Sequence, residues 1–264
     1  MRLRTIIGSV TATCAAATML TLGAGAAHAA EPDPSTPDGF AAALEVKAST
    51  SSEARKTLNQ YKALPSAKKK RLIQILQDPN FISEFFDKTG DVEGTERSDV
   101  FPGEVTYTES DSVTNPSVTA GTSSYTPTSH GSVSTASFPT SRAAGLVRAS
   151  YAANSVATGE ATSSCVVLGV TITTLKIWVT FKTGSLGIPK SVVSYGSGAT
   201  NYNFFVNVSA TNNPAYVDSS QGLAVATTTW HGYVLVKGLG ASFDKRDTAK
   251  FYKGGLYSHT LVNI

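Results

Sequence analysis

Two hydrophobic periods divide the chain. Between residues 50 and 90 apolar side chains recur every three to four positions, the spacing of helices that each bury one face. Thr50 and Glu53 form a capping box ahead of Leu58, Tyr61 and Leu64. Pro65 interrupts this run, and Ser66 is placed to cap a second helix whose apolar face is Leu72, Ile73 and Leu76. Asp78-Pro79 then supplies a cap and a first-turn proline for a third helix, which puts Phe81, Ile82, Phe85 and Phe86 on one side and closes at Gly90. Helices of this size are marginal alone, and the pattern predicts a small helical segment over 50–90 able to serve as a pro-region.

Past Ser163 the period changes to two, the signature of half-buried strands. Val166, Leu168, Val170 and Ile172 occupy one parity and Leu175, Ile177, Val179 and Phe181 the other, so a bulge or tight bend is expected at Thr173-Thr174. Tyr202, Phe204, Val206 and Val208 alternate with polar residues; Leu223 to Thr229, Tyr233 to Lys237 and Leu256 to Val262 are also strand-like. Turn chemistry falls at Gly196-Ser197-Gly198, Asn212-Asn213-Pro214, Asp218 to Gly222 and Lys253-Gly254-Gly255. The predicted fold is therefore mainly β: an antiparallel β-sandwich or jelly-roll-like C-terminal domain preceded by a small helical N-terminal segment.

Between the two periods, about half of residues 106–140 are Ser or Thr, a composition with few side chains able to form a core. This stretch reads as a linker or exposed loop, with edge strands at Glu104 to Tyr107 and Gly145 to Arg148. Arg2 and Arg4, an apolar run from Ile6 to Leu22 and Ala27-His28-Ala29 compose a secretory signal peptide with cleavage before Ala30. The predicted organisation is a signal peptide over 1–29, a flexible segment over 30–49, helices over 50–90, a linker over 91–163 and a β-rich domain over 164–264. A fragment starting between 90 and 165 is expected to fold alone, and the product is expected to be extracellular.

Charge sharpens this picture. Residues 31–99 carry 10 basic and 12 acidic side chains, whereas 161–264 carry 8 basic and 3 acidic ones. The second half thus favours an anionic surface such as a bacterial envelope polymer or acidic lipid, beside the plainer reading of a mildly basic domain. Lys68 to Arg71 lacks aromatic interleaving, so it reads as a solvated helix face and no nucleic-acid partner is expected. After the signal peptide no stretch approaches the roughly 20 apolar residues of a membrane span. Cys165 is the one cysteine past that peptide, which excludes an intrachain disulfide, and its apolar surroundings mark it as a core residue.

The search for chemistry is largely exclusionary. His130, His231 and His259 are singletons without metal-ligand spacing, so neither a metal site nor a cofactor is expected. Gly196-Ser197-Gly198 lacks the spacing of a nucleophile elbow. Asp218, Asp244 and Asp247 are the carboxylates of the β region, and Asp244 and Asp247 flank Lys245-Arg246 as a locally paired loop would. No catalytic residue is assigned, and a hydrolase would need His231 or His259 to find partners in the fold. Trp178 and Trp230, with Tyr195, Tyr202 and Tyr233, are candidates for an aromatic platform for sugar or peptide. Trp178 shares its parity with Lys176 and Lys182 and should face away from the core, making these three the candidate binding surface.

The segments Leu168-Gly169-Val170, Leu175-Lys176-Ile177-Trp178-Val179, Asn201-Tyr202-Asn203 and Tyr252-Lys253-Gly254-Gly255-Leu256 resemble the geobacillin-type large secreted bacteriocins. The resemblance covers about 95 residues at the C-terminal end. It implies a signal peptide, a helical N-terminal region, a β-rich C-terminal domain and antimicrobial activity towards related bacteria, with no catalytic set. The expected function is a secreted, non-enzymatic antimicrobial acting on the bacterial envelope; the alternative is an extracellular binding module or protease inhibitor.

Overall fold

A computed structural model describes residues 32–88, 94–114, 155–235, 240, 242–252 and 255–264. The expected signal peptide, His130 and the strand expected at Gly145 to Arg148 lie outside the described residues. Four helices come first: α1 (Pro37–Ala48), α2 (Ser52–Lys62), α3 (Ser66–Gln77) and α4 (Pro79–Lys88). Helix α1 falls in the segment expected to be flexible. Thr36 caps it by accepting from the Gly39 amide at 3.1 Å, and it buries Phe40, Leu44 and Ala48. Helix α2 takes Ser51 as its cap, one residue after the expected Thr50. Ser66 is the first residue of α3 and makes no side-chain cap bond. At α4 the expected cap is in place, Asp78 Oδ1 accepting from the Asn80 amide at 2.8 Å.

Among the described residues nine strands follow in two antiparallel sheets. The first runs β1 (Thr95–Arg97), β2 (Val105–Thr114), β3 (Val156–Val167), β4 (Val170–Thr183), β5 (Pro189–Asn201). The second runs β6 (Val206–Asp218), β7 (Leu223–Val234), β8 (Ser242–Tyr252), β9 (Gly255–Asn263). In each sheet the described strands pair in chain order, so among the described residues the sandwich shows none of the crossovers of a jelly roll.

Local chemistry sets the corners and corrects several expected boundaries. Leu168 (φ 50°) and Gly169 (φ 84°) form a two-residue turn between β3 and β4, where the alternation had predicted a continuing strand. A bulge is present, but at Ile172 and not at Thr173-Thr174, which pair regularly: Cys165 pairs with Thr173 while Val166 pairs with Thr171, leaving Ile172 extra. Tyr202 to Phe205 form the corner between the sheets, pinned by Asn201, whose Nδ2 donates to the carbonyls of Asn203 and Val206. Asn212-Asn213-Pro214 lies within β6 at a bulge, and Gly196-Ser197-Gly198 lies within β5; neither is a turn.

The inner faces meet through size complementarity. Ala157, Gly159 and Ala161 of β3 leave room for Phe251 of β8, and a Cβ added at Gly159 would stand 2.3 Å from the Phe251 ring. Ala224, Ala226 and Ala249 of the second sheet share the same buried cluster with Ile177, Val179 and Phe181 of the first. At one end of the sandwich the helices build a second core with the strands. Phe40, Leu44, Tyr61, Leu72, Phe81 and Phe85 share one buried cluster with Val105, Tyr107, Cys165, Val170, Tyr202, Val206 and Val234. Each such large side chain contributes about 1.5–3 kcal/mol on burial.

Polar contacts seal the same junction. The Thr57 hydroxyl donates to the Thr171 carbonyl at 3.2 Å, and Arg71 makes a two-pronged bond to Glu104 at 2.7 and 2.9 Å. Glu84, buried on α4, accepts from the Ser98 hydroxyl and from the Asp99 amide at 2.6 Å. Lys245 of β8 donates to the Asp87 carbonyl near the end of α4 at 2.8 Å. Residues Pro32–Ile264 accordingly form one compact unit.

Candidate functional site

Alternation on the first sheet sends Ala157, Ala161, Cys165, Ile177, Val179 and Phe181 inward and sends Thr and Ser outward. The register lines these up across strands. Thr95, Thr108, Ser164, Thr174 and Thr200 occupy one row that crosses all five strands. The next rows read Ser110, Thr162, Lys176, Gly198, then Ser112, Glu160, Trp178, Gly196, and Thr158, Thr180 and Ser194 lie beyond. Neighbouring strands stand about 4.8 Å apart and alternate residues about 6.8 Å apart, so the face is a grid of hydroxyls. Some bond one another: Thr158 to Thr180 at 2.9 Å and Ser164 to Thr174 at 3.3 Å.

Trp178 is the one aromatic side chain in these rows. A Cβ added at Gly196 would stand 2.4 Å from its Cζ2, and one at Gly198 would be 3.9 Å from its Cζ3. The indole therefore lies over β5 at Gly196, where only a glycine leaves room for it, and touches the space above Gly198 at ordinary contact distance. Trp178 is half-buried as a result. Beside it Lys176 Nζ meets Glu160 Oε1 at 3.1 Å, which leaves the centre of the face close to neutral. Lys182 stands exposed two rows further along. The structure thus puts Lys176, Trp178 and Lys182 together on the outward face, as their shared parity predicted.

The other expected platform aromatics do not join them. Trp230 is fully buried and Tyr202 nearly so, whereas Tyr195 and Tyr233 are exposed elsewhere. Trp230 instead belongs to a polar cluster whose members have no regular spacing in the chain. Its Nε1 donates to Asp247 Oδ2 at 2.9 Å; Asp247 Oδ1 faces His259 Nε2 at 2.7 Å; and His259 Nδ1 faces Glu109 Oε1 at 2.7 Å. Asp247 is therefore a buried strand residue of β8, not part of a surface loop. Burial opposes charge on His259 and lowers its pKa, but the hydrogen bonds to Asp247 and Glu109 outweigh it and raise the pKa to about 10. With a carboxylate on each nitrogen, the ring is an imidazolium that ties β2 of one sheet to β8 and β9 of the other. Its side chain is 1 % exposed, a structural position and not an open site.

The remaining groups are similarly committed. His231 faces Asp244 at 2.7 Å and Thr211 at 3.1 Å on the outer face of the second sheet. Cys165 is buried, which pushes its thiol pKa up, away from thiolate reactivity. The void between Phe85, Leu175, Val208, Trp230, Phe243 and Leu261 measures about 10 Å³, room for a single water. Among the described residues no group of three His, Cys, Asp or Glu is arranged to hold a metal ion, and no helix is long and apolar enough to cross a membrane. Comparison with protein-family models, with curated proteins and with solved structures finds no match to this chain.

Proposed function

We propose that this chain is a secreted, non-enzymatic antimicrobial protein that acts on the bacterial envelope, and that it grips a wall glycan through the outer face of its first sheet. The observation that carries the reading is the indole of Trp178, half-buried on the outward side of the first sheet and laid over Gly196. An aromatic ring held this way offers a flat apolar plate to the C–H face of a sugar ring. The flanking hydroxyls of Thr158, Thr162 and Thr180 both donate and accept, which matches the hydroxyls of a glycan. The paired Lys176 and Glu160 add charge-assisted partners without giving the face a strong net sign.

The signal-like N-terminus and the resemblance of the C-terminal segments to large secreted bacteriocins support the antimicrobial part of the reading. An extracellular binding module without lethal effect would use the same face. Growth of a panel of bacteria exposed to the purified chain separates the two: inhibition of related strains is expected, and growth unaffected across the panel contradicts the antimicrobial reading. Thr162→Arg, which places bulk beside the indole without removing it, should weaken the inhibition at least tenfold.

A further inference from the structure

Strand β5 is the open margin of the first sheet. It pairs with β4 along one side and ends the strand order on the other. Residues 155–235 are all described, so β5, the corners at its two ends and its neighbours β4 and β6 lie wholly within the described fold. An edge strand carries a row of backbone N–H and C=O groups without ladder partners, and natural sheets blunt such rows with short strands, prolines, bulges or charges. The other edge strand of this sheet, β1, has 3 residues, and β6 of the second sheet carries Pro214 at a bulge. Strand β5 has 13 residues, with Pro189 and its one charged side chain, Lys190, at the start. Past the extra residue Val193, residues 194–201 pair with β4 without a shift, a flat run that none of these devices guards.

The side chains of that run fit a second copy of it. Tyr195 and Ala199 stand opposite the inward-facing Val179 and Leu175, yet both are exposed, Tyr195 at 41 %, so the second sheet does not cover them. Gly196 and Gly198 have the outward parity. Gly196 makes room for the Trp178 indole, but Gly198 has no such duty: an added Cβ would be 3.9 Å from the ring, an ordinary contact, and its φ lies outside the left-handed region. A glycine inside a strand weakens it, and away from a bulge or bend it marks a place where another backbone or group comes close.

We infer that β5 pairs antiparallel with β5 of a second copy of this chain, about a twofold axis at Ser197, and joins two first sheets into one. In this register Tyr195 lies opposite the partner's Ala199, a large ring over a methyl group. Ser194 lies opposite the partner's Thr200, two hydroxyls able to bond. Gly196 lies opposite the partner's Gly198, so no side chain stands between the two Trp178 indoles at the seam. With strands about 4.8 Å apart and a two-residue offset of about 6.8 Å, the two Gly196 come within roughly 8 Å. Lys190 falls outside the paired residues, and no like charges oppose each other. An unrelated strand gives no use to two glycines in alternate positions; a second copy sets each against the other. The inference concerns the edge of β5 and does not depend on what Trp178 binds.

Sedimentation velocity on a chain beginning at Ala30, which keeps the compact unit Pro32–Ile264, should show a monomer–dimer equilibrium that shifts to dimer as concentration rises. Gly198→Val adds a side chain whose Cβ meets nothing closer than 3.9 Å in the monomer. It should keep or raise the melting temperature and weaken dimerisation at least tenfold. Ser194→Cys combined with Thr200→Cys sets thiols directly opposite across the seam, and mild oxidation should convert that variant to a covalent dimer. Each single variant, its thiol about 20 Å from its counterpart, should stay uncrosslinked. Cys165 is buried and does not compete. A chain that is monomeric at every concentration, whether its edge stays bare or accepts an unrelated strand, overturns the inference. So does full dimerisation by Gly198→Val, or failure of the double-cysteine variant to cross-link; the cross-link decides if Gly198→Val does not fold. Trp178-dependent adsorption to cell walls reports the glycan reading alone, so the two can fail independently.

Discussion

His259 Nε2 lies 2.7 Å from Asp247 Oδ1, and both side chains are almost wholly buried between the sheets. With Glu109 on the other ring nitrogen, the imidazolium is held by carboxylates from strands of opposite sheets. Its pKa, raised to about 10 in the fold from a reference of 6.5, makes a direct pH prediction. A raised folded pKa contributes stability that is complete below about pH 6.5 and is lost as pH climbs through about 10. Between those limits the parent should lose up to about 1.4 kcal/mol per pH unit relative to His259→Gln, which lacks the titration. Denaturant midpoints of the two proteins from pH 6 to 10 check this: the gap should narrow with pH, and a constant gap would show that the ring is not held charged.

Gly159 tests the packing between the sheets. A methyl group there would meet the Phe251 ring at 2.3 Å, and the ring is fully buried in one cluster with Ala157, Ala161 and Ala249. Gly159→Ala should cost about 1–3 kcal/mol through overpacking, against the usual gain when alanine replaces glycine in regular structure. A raised melting temperature would place Phe251 elsewhere.

The helices provide a third prediction. Phe40, Tyr61, Leu72 and Phe81 share a cluster with Val105, Cys165, Tyr202 and Val234, and Glu84, Arg71 and Lys245 bridge the two parts with hydrogen bonds. A chain starting at residue 94 would expose that end of the sandwich. It should show no cooperative melt, while the chain from Ala30 melts in one step. Circular dichroism on heating decides, and a cooperative transition in the shorter chain would restore the helices to a detachable pro-region.

Which of these features the sequence showed follows from how local their causes are. Three helices were legible because their apolar faces and breakers repeat within a turn or two; α1 was not, since Phe40, Ala41, Ala42, Ala43 and Leu44 make an apolar run with little periodicity. Outward placement of Trp178 could be read from the parity of Ile177 and Val179. The Ser/Thr-rich residues of β2 and early β3 read as linker because their hydroxyls face out and small residues, Ala157, Gly159 and Ala161, face in, leaving no hydrophobic signal. Gly196-Ser197-Gly198 reads as a turn, although Gly196 is where the indole of the neighbouring strand lies. The His259 cluster joins residues up to 150 positions apart, and no local pattern encodes such a meeting.

Outward placement of Trp178 makes it the contact for a wall glycan, and adsorption to lipid-free cell-wall sacculi measures this directly. The chain from Ala30 should bind sacculi with a change in tryptophan emission that comes from Trp178, since Trp230 is buried and bonded to Asp247. Thr162→Arg and Thr180→Arg, which keep the fold and the indole but crowd its open face, should each reduce binding at least tenfold at an unchanged melting temperature. Undiminished binding by both variants, or no adsorption by the parent, would contradict the assignment of this face to a wall glycan.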